Sequence, residues 1–252
     1  MKTIRAAALL MFFVLPQCLL AQDLTVSYMN RPPYYYTEDG TARGFLVELT
    51  KKILDDAGID VTFRELPPNR IMHEIQKRDH AHCSIGWFRT PEREQFAKFS
   101  LPIYRNRPIV VVTTRENNYL FTGYSTLHQL FTDRSLVMGN ISSFTYGSYI
   151  DRLMKDLRPA THEISTSRGT LPALIKKKRV HYLLSAPEEV ETLIHGEGLR
   201  SEDFMTIVMS DIPEGNKRYL MFSMSVSDDT ITRINASMVK IKGSGLSEDS
   251  SR

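Results

Sequence analysis

The chain is short of cysteine. Its 252 residues hold two, Cys18 and Cys83. Cys18 lies in a leader-like stretch, so the folded part keeps Cys83 alone and no internal disulfide can form. Stability must then rest on an apolar core, and about 230 residues suffice for one large domain or two lobes. Long hydrophobic runs are missing too. An unbroken apolar run over residues 6–15 would reach only about 15 Å as a helix, against a hydrocarbon core of roughly 30 Å. No other stretch is long and apolar enough to span a bilayer. Charge of one sign is scarce, with 32 basic and 29 acidic residues. Such a balance gives no general reason to expect nucleic acid or an anionic membrane surface as a partner. There is no G-x-S-x-G, no P-loop and no H-E-x-x-H, and nothing calls for a cofactor or a resident metal. No linker rich in Pro, Gly or Ser divides the chain, and no internal repeat is visible.

What is present begins with the layout of a secretory signal peptide over residues 1–21. Lys2 and Arg5 are followed by the apolar run, Pro16 breaks it, and Ala21 offers a small residue for cleavage. The run is short for a membrane anchor. A lipid anchor on Cys18 is disfavoured by Gln17, which stands where a small residue is expected. Export is therefore expected, with cleavage near Ala21. Loss of Lys2 and Arg5 would bring the net charge from +3 to about +1.

Strand and helix signals then alternate. Residues 24–29, 61–66, 81–88 and 109–113 read as strands. Asp39-Gly40 marks a turn. Phe45, Leu49, Ile53 and Ala57 recur every four residues, a helix stripe that ends at Gly58. Residues 68–78 read as a helix with Ile71 and Ile75 on one side. Further strands fall at 136–139, 161–165, 180–185, 204–210 and 219–225, and helices at 147–157, 170–178, 187–195 and 230–240. This alternation predicts an α/β fold with mainly parallel sheets. From Gly243 onward the composition of Gly, Ser and charge predicts a disordered tail.

Several short motifs occur in a telling order. They are Arg31-Pro32-Pro33-Tyr34, then Gly40 with Gly44-Phe45-Leu46-Val47-Glu48-Leu49, and Pro67-Pro68-Asn69-Arg70. Thr90-Pro91-Glu92-Arg93 follows, with Phe99-Ser100-x-Pro102-x-Tyr104 after it. In that order and spacing the chain resembles the family 3 extracellular solute-binding proteins of bacterial uptake systems, over nearly all of its length beyond the leader. The resemblance implies a periplasmic-binding-protein-like clamp, two α/β lobes joined by two crossing strands. Lobe 1 would take residues 22–111 and 220–242, lobe 2 residues 112–219, and 243–252 the tail. The crossing would lie near Val112–Arg115 and the return near Tyr219. A small molecule, carboxylate-bearing and amino-acid-like, would sit between the lobes. A membrane permease or a separate sensor would read the closed form of a monomer.

Arg93 is the first candidate for a ligand contact. Thr90 suits an N-cap and Pro91 the first helical position, which sets Arg93 near a helix N-terminus just past a strand end. A guanidinium there offers two parallel hydrogen bonds to a carboxylate. The resemblance implies that role. The residues alone favour a surface ion pair with Glu92, Glu94 or another acid. Tyr34, Trp87 and Phe88 are candidate walls, with Gly86 in the same segment. Strand alternation would put Trp87 on the face of Ala81, Cys83 and Ile85, and a Trp-Phe pair also suits core packing. Arg31 stands where the family sets an aromatic residue. Arg31 and Arg70 could join Arg93 in an electropositive pocket, or bond locally. In the other half, Ser143, Thr145 and Tyr146 precede a helix whose free N–H groups could meet a ligand oxygen or simply be capped. Amino-acid binders of the family pair the ligand ammonium with an acid near residues 180–185. Here Glu188 is close but displaced, which argues against an ordinary α-amino acid.

Two other classes remain open. A dehydratase on the same fold needs a cleft acid or base, for which Glu188, His181 or His82 would have to serve. A metal site would need more than His80, His82 and Cys83.

Overall fold

The computed structural model of the chain describes residues 24–141, 145–164, 170–196 and 198–243. Residues 1–23 (Cys18 among them), Ser143 and residues 244–252 lie outside them. The first lobe opens with β1 (Leu24–Tyr28). A hairpin follows, β2 (Tyr36–Glu38) and β3 (Thr41–Arg43), turning at Asp39-Gly40. Then come α1 (Phe45–Asp56), β4 (Val61–Glu65), α2 (Pro68–Gln76), β5 (His82–Trp87), the short α3 (Pro91–Glu94) and β6 (Ala97–Arg105). The second lobe holds β7 (Val110–Thr114), α4 (Leu127–Thr132), β8 (Met138–Ile141), α5 (Ser148–Leu157) and β9 (Thr161–Ile164). It continues with α6 (Thr170–Lys176), β10 (Tyr182–Ser185), α7 (Pro187–His195) and β11 (Phe204–Ile207). The chain then returns as β12 (Lys217–Ser223) and α8 (Asp228–Gly243).

Two five-stranded sheets result, ordered β4-β1-β5-β12-β6 and β11-β7-β10-β8-β9. They are mixed rather than mainly parallel. β1 runs parallel to β4 and β5, but β12 is antiparallel to both β5 and β6. In the second sheet β8 is parallel to β9 and β10, while β7 is antiparallel to β10 and β11. The cause is the double crossing. β6 leaves the first lobe and β12 re-enters it, so the two run opposite ways. β7 lies wholly in the second sheet, so the outward crossing is over residues 106–109, earlier than Val112–Arg115. β12 already pairs from Lys217, so the return lies over residues 208–216.

The strand β6 escaped the sequence pattern because Pro102 interrupts it. It is an edge strand, where a missing N–H is tolerated. The buried face of α1 is broader than one stripe: Leu46, Val47, Leu49, Thr50, Ile53 and Leu54 are covered. Leu24, Val26, Leu46, Ile85, Phe222 and Ile234 belong to the main core of the first lobe. In the second lobe, Phe131, Met138 and Tyr182 pack in one cluster and Val112, Leu171 and Leu183 in another.

Candidate functional site

Between the two lobes lies a cavity of about 400 Å³. Each lobe gives it a wall. Lobe 1 supplies Met29, Arg31, Trp87, Phe88 and Arg218, and lobe 2 supplies residues 145–150, Ala186 and Glu189. The crossing segments close the back with Asn106, Arg107, Ile109 and residues 212–216.

The wall of Trp87 and Phe88 depends on Gly86. Its φ of +83° belongs to the left-handed region that favours glycine, and a Cβ there would stand 2.6 Å from the Tyr35 ring. This turn of the backbone ends the strand alternation. Cys83 and Ile85 stay in the main core, whereas Trp87 packs on the other side with Ile71, Ile75 and Met221. Trp87 therefore leaves the face that alternation gave it. It is both core and cavity wall, and its Nε1 donates to Ser84 Oγ at 2.8 Å.

Arg93 stands behind this wall. Thr90 caps α3 as its sequence suggests, accepting from the Arg93 N–H at 3.4 Å. The guanidinium donates to the Phe88 carbonyl at 2.7 Å and lies 4.9 Å from the Trp87 ring centre. Partial burial lowers its pKa. Arg93 holds the wall in place and is not among the residues lining the cavity. Arg70 is exposed and paired with Glu74 along its own helix at 2.7 Å. Tyr34 is fully covered, and its hydroxyl accepts from Asn106 Nδ2 at 2.8 Å. Gly86 likewise sits behind the wall. Of the sequence candidates, the cavity brings together Arg31, Trp87, Phe88, Thr145 and Tyr146. Ser143 falls outside the described residues.

Arg31 reaches across the cleft. Its Nε and Nη2 donate to the two carboxylate oxygens of Glu189 at 2.7 and 3.0 Å. Burial opposes the charge on Arg31, but the hydrogen bonds and charge of Glu189 outweigh it, and its pKa is raised. Glu188, the next residue of α7, takes another partner across the lobes. It accepts from the Tyr104 hydroxyl at 2.5 Å and from the Arg107 backbone N–H at 2.9 Å. Burial and that bond raise the pKa of Tyr104.

The residue that sequence reasoning missed is Arg218, on β12. It is 2% exposed yet lines the cavity. Nε donates to Asn106 Oδ1 at 2.6 Å, and Nη1 to the Gly86 carbonyl at 2.9 Å and the Tyr35 hydroxyl at 3.3 Å. Its guanidinium lies 4.4 Å from the Tyr34 ring centre and 5.2 Å from that of Phe88, contacts that stabilise a cation. The advance sign was an arginine directly ahead of the apolar run 219–222.

Opposite, α5 begins after Gly147, and Asp151 accepts from the Tyr146 N–H at 2.9 Å and from the Thr145 hydroxyl. The residues weighed for catalysis lie elsewhere or are engaged. His181 Nδ1 accepts from the Val137 N–H at 2.8 Å, and buried His82 meets Ser27 Oγ at 2.9 Å. Cys83 is buried in the core, which pushes its thiol pKa up. Among the described residues no group of three or more His, Cys, Asp or Glu is placed to hold a metal, and no helix is long and apolar enough to cross a membrane.

Comparison with known proteins follows the same lines. The profile described as bacterial extracellular solute-binding proteins, family 3, matches residues 24–249. No curated protein matches the chain. Among solved structures, an ancestral cationic amino acid solute-binding protein superposes with a TM-score of 0.68 at 14% identity, covering 92% of this chain and 96% of its own. The second substrate-binding domain of Lactococcus lactis GlnP, in an open conformation, gives 0.65 at 13% identity, with 90% and 93% covered. An amino acid ABC transporter substrate-binding protein of Streptococcus pneumoniae, bound to L-arginine, gives 0.64 at 16% identity, with 91% and 92% covered. At these identities the likeness is one of fold: two α/β lobes forming a clamp.

Proposed function

This chain belongs to the bacterial extracellular solute-binding proteins of family 3, and from that membership we propose that it captures a small, carboxylate-bearing molecule between its lobes and delivers it to a membrane permease. The observation that carries the reading is the inter-lobe cavity of about 400 Å³ with Arg218 in its wall. That volume suits a small molecule. The ligand would touch both lobes only when they close on it, so binding would shift the population toward the closed form. Residues 106–109 and 208–216 would take up the hinge movement. Arg93 would act by bracing Trp87 and Phe88. The protein would be exported by its leader and act as a monomer, without catalysis of its own.

A thermal-shift screen of the mature protein tests this. The panel is amino acids, dicarboxylates, small peptides, polyamines and aromatic acids. A ligand that binds only the folded state raises the melting temperature by mass action, by about 2.7 kcal/mol of stabilisation at a hundred times Kd. A concentration-dependent rise with one carboxylate class is the expected result. A rise with polyamines alone would reverse the sign of charge expected of the ligand. A flat panel on a folded sample would count against capture of a small carboxylate.

A further inference from the structure

The charges lining the cavity do not balance one by one. Glu189 is engaged by Arg31 with both oxygens, and its side chain is 5% exposed. Glu214 is ion-paired with Arg105, and Arg107 lies 3.8 Å from Glu188. Arg218 has no such partner. Nε and Nη1 spend their three N–H groups on neutral oxygens of Asn106, Gly86 and Tyr35. Among the described residues no protein group meets Nη2, and no carboxylate pairs with the guanidinium. A buried charge without a counter-ion is costly, and the two flanking rings offset part of that cost only. The missing counter-charge has one open place to sit, the cavity. From the facing lobe the first turn of α5 supplies Ser148, Tyr149 and Ile150 to the same space.

An ammonium group would find the reverse. Both acids that line the cavity already hold arginines, so a zwitterion would bring a cation with no carboxylate left to receive it. We propose that the cleft selects a small organic acid that carries no ammonium group, its carboxylate held by Nη2 of Arg218 and its apolar body lying against Trp87, Phe88 and Tyr149. The assignment rests on the capture reading above and names its ligand class. Arg31 then acts as a specificity residue: it occupies the acid that would otherwise attract an amino acid.

Matched pairs of ligands test this on the unaltered protein. Isothermal titration is run with 3-phenylpropionate against phenylalanine, and with 4-methylpentanoate against leucine. Each pair shares a skeleton and differs by the α-ammonium. At least one acid is expected to bind ten-fold or more tighter than its amino-acid partner. Equal or tighter binding of the amino acids overturns the assignment. Binding by neither series overturns it too. The capture reading survives that second outcome if another class in the wider panel raises the melting temperature. Two variants sharpen the result. Arg218→Lys keeps the charge but loses the fork, and is expected to weaken the acid ten-fold or more, with circular dichroism confirming the fold. Arg31→Gln, which leaves the Arg218 stack intact, removes the guanidinium from Glu189 and is expected to improve phenylalanine or leucine binding at least ten-fold. Unchanged amino-acid binding in Arg31→Gln would remove Arg31 as the specificity residue.

Discussion

The two lobes treat buried charge in opposite ways. Lobe 2 places acids at the starts of helices and pairs them. Asp211 accepts from the Leu127 and His128 N–H groups at 2.7 and 3.0 Å and from the Tyr149 hydroxyl at 2.9 Å. Burial opposes that carboxylate's charge, but these bonds prevail and hold its pKa below the usual range. Asp151 accepts from the Tyr146 N–H just ahead of α5, and Glu188 and Glu189, in the first turn of α7, take partners from across the cleft. Lobe 1 buries a cation instead, and surrounds Arg218 with neutral oxygens and rings. Lobe 2 thus pairs its acids, at home or across the cleft, while Arg218 in lobe 1 meets no carboxylate among the described residues. A cleft can be tuned for an anion without any excess of basic residues in the chain.

The largest expected effect would break the lobe 1 arrangement at its backbone. Gly86→Ala puts a Cβ against the Tyr35 ring at a left-handed φ, beside the carbonyl that accepts from Arg218. Strain plus overpacking should destabilise the protein by about 2–4 kcal/mol. Thermal melting followed by Trp87 fluorescence reads it, since this one tryptophan lies in lobe 1. An unchanged melting point would mean that the Gly86 turn is not needed.

A smaller effect concerns acid. Burial, helped by His80, lowers the pKa of His82 to about 4. An unfolded histidine titrates near 6.5. The unfolded chain therefore binds the extra proton first. Stability is full above pH 6.5, falls as pH drops from about 6.5 to 4, and levels below that. The loss is up to about 3 kcal/mol. Urea midpoints across this range, with His82→Gln as the control that flattens the step, check it. Equal slopes in both proteins would assign the acid response elsewhere.

The smallest effect belongs to Arg70→Ala. An exposed i,i+4 pair contributes at most about 0.5 kcal/mol. Ligand affinity should stay within about two-fold; urea midpoints measure the first and isothermal titration the second. A ten-fold loss would bring Arg70 into the cleft despite its pairing with Glu74.

Part of this was legible in advance. The caps and breakers were local and came out as read: Thr90 before α3, Gly58 after α1, Asp39-Gly40 between β2 and β3. Arg31 could be recognised as a departure from an aromatic position, and Glu188 as an acid out of place. The partner of Arg31 could not, because Glu189 is 158 positions away. Arg218 follows Lys217 at a strand entrance, where two cations read as solvated. Its burial exists only because β12 returns into the middle of the first sheet.

The amino-acid order by itself determined the alternation of strands and helices, the family motifs and the near-neutral charge, because periodicity and capping act over a few residues. Only the tertiary structure decided which arginine faces the cavity, which acid is spent and which face Trp87 takes. Those depend on where two crossings bring distant segments together, and on one left-handed turn at Gly86 that reverses a strand's sides.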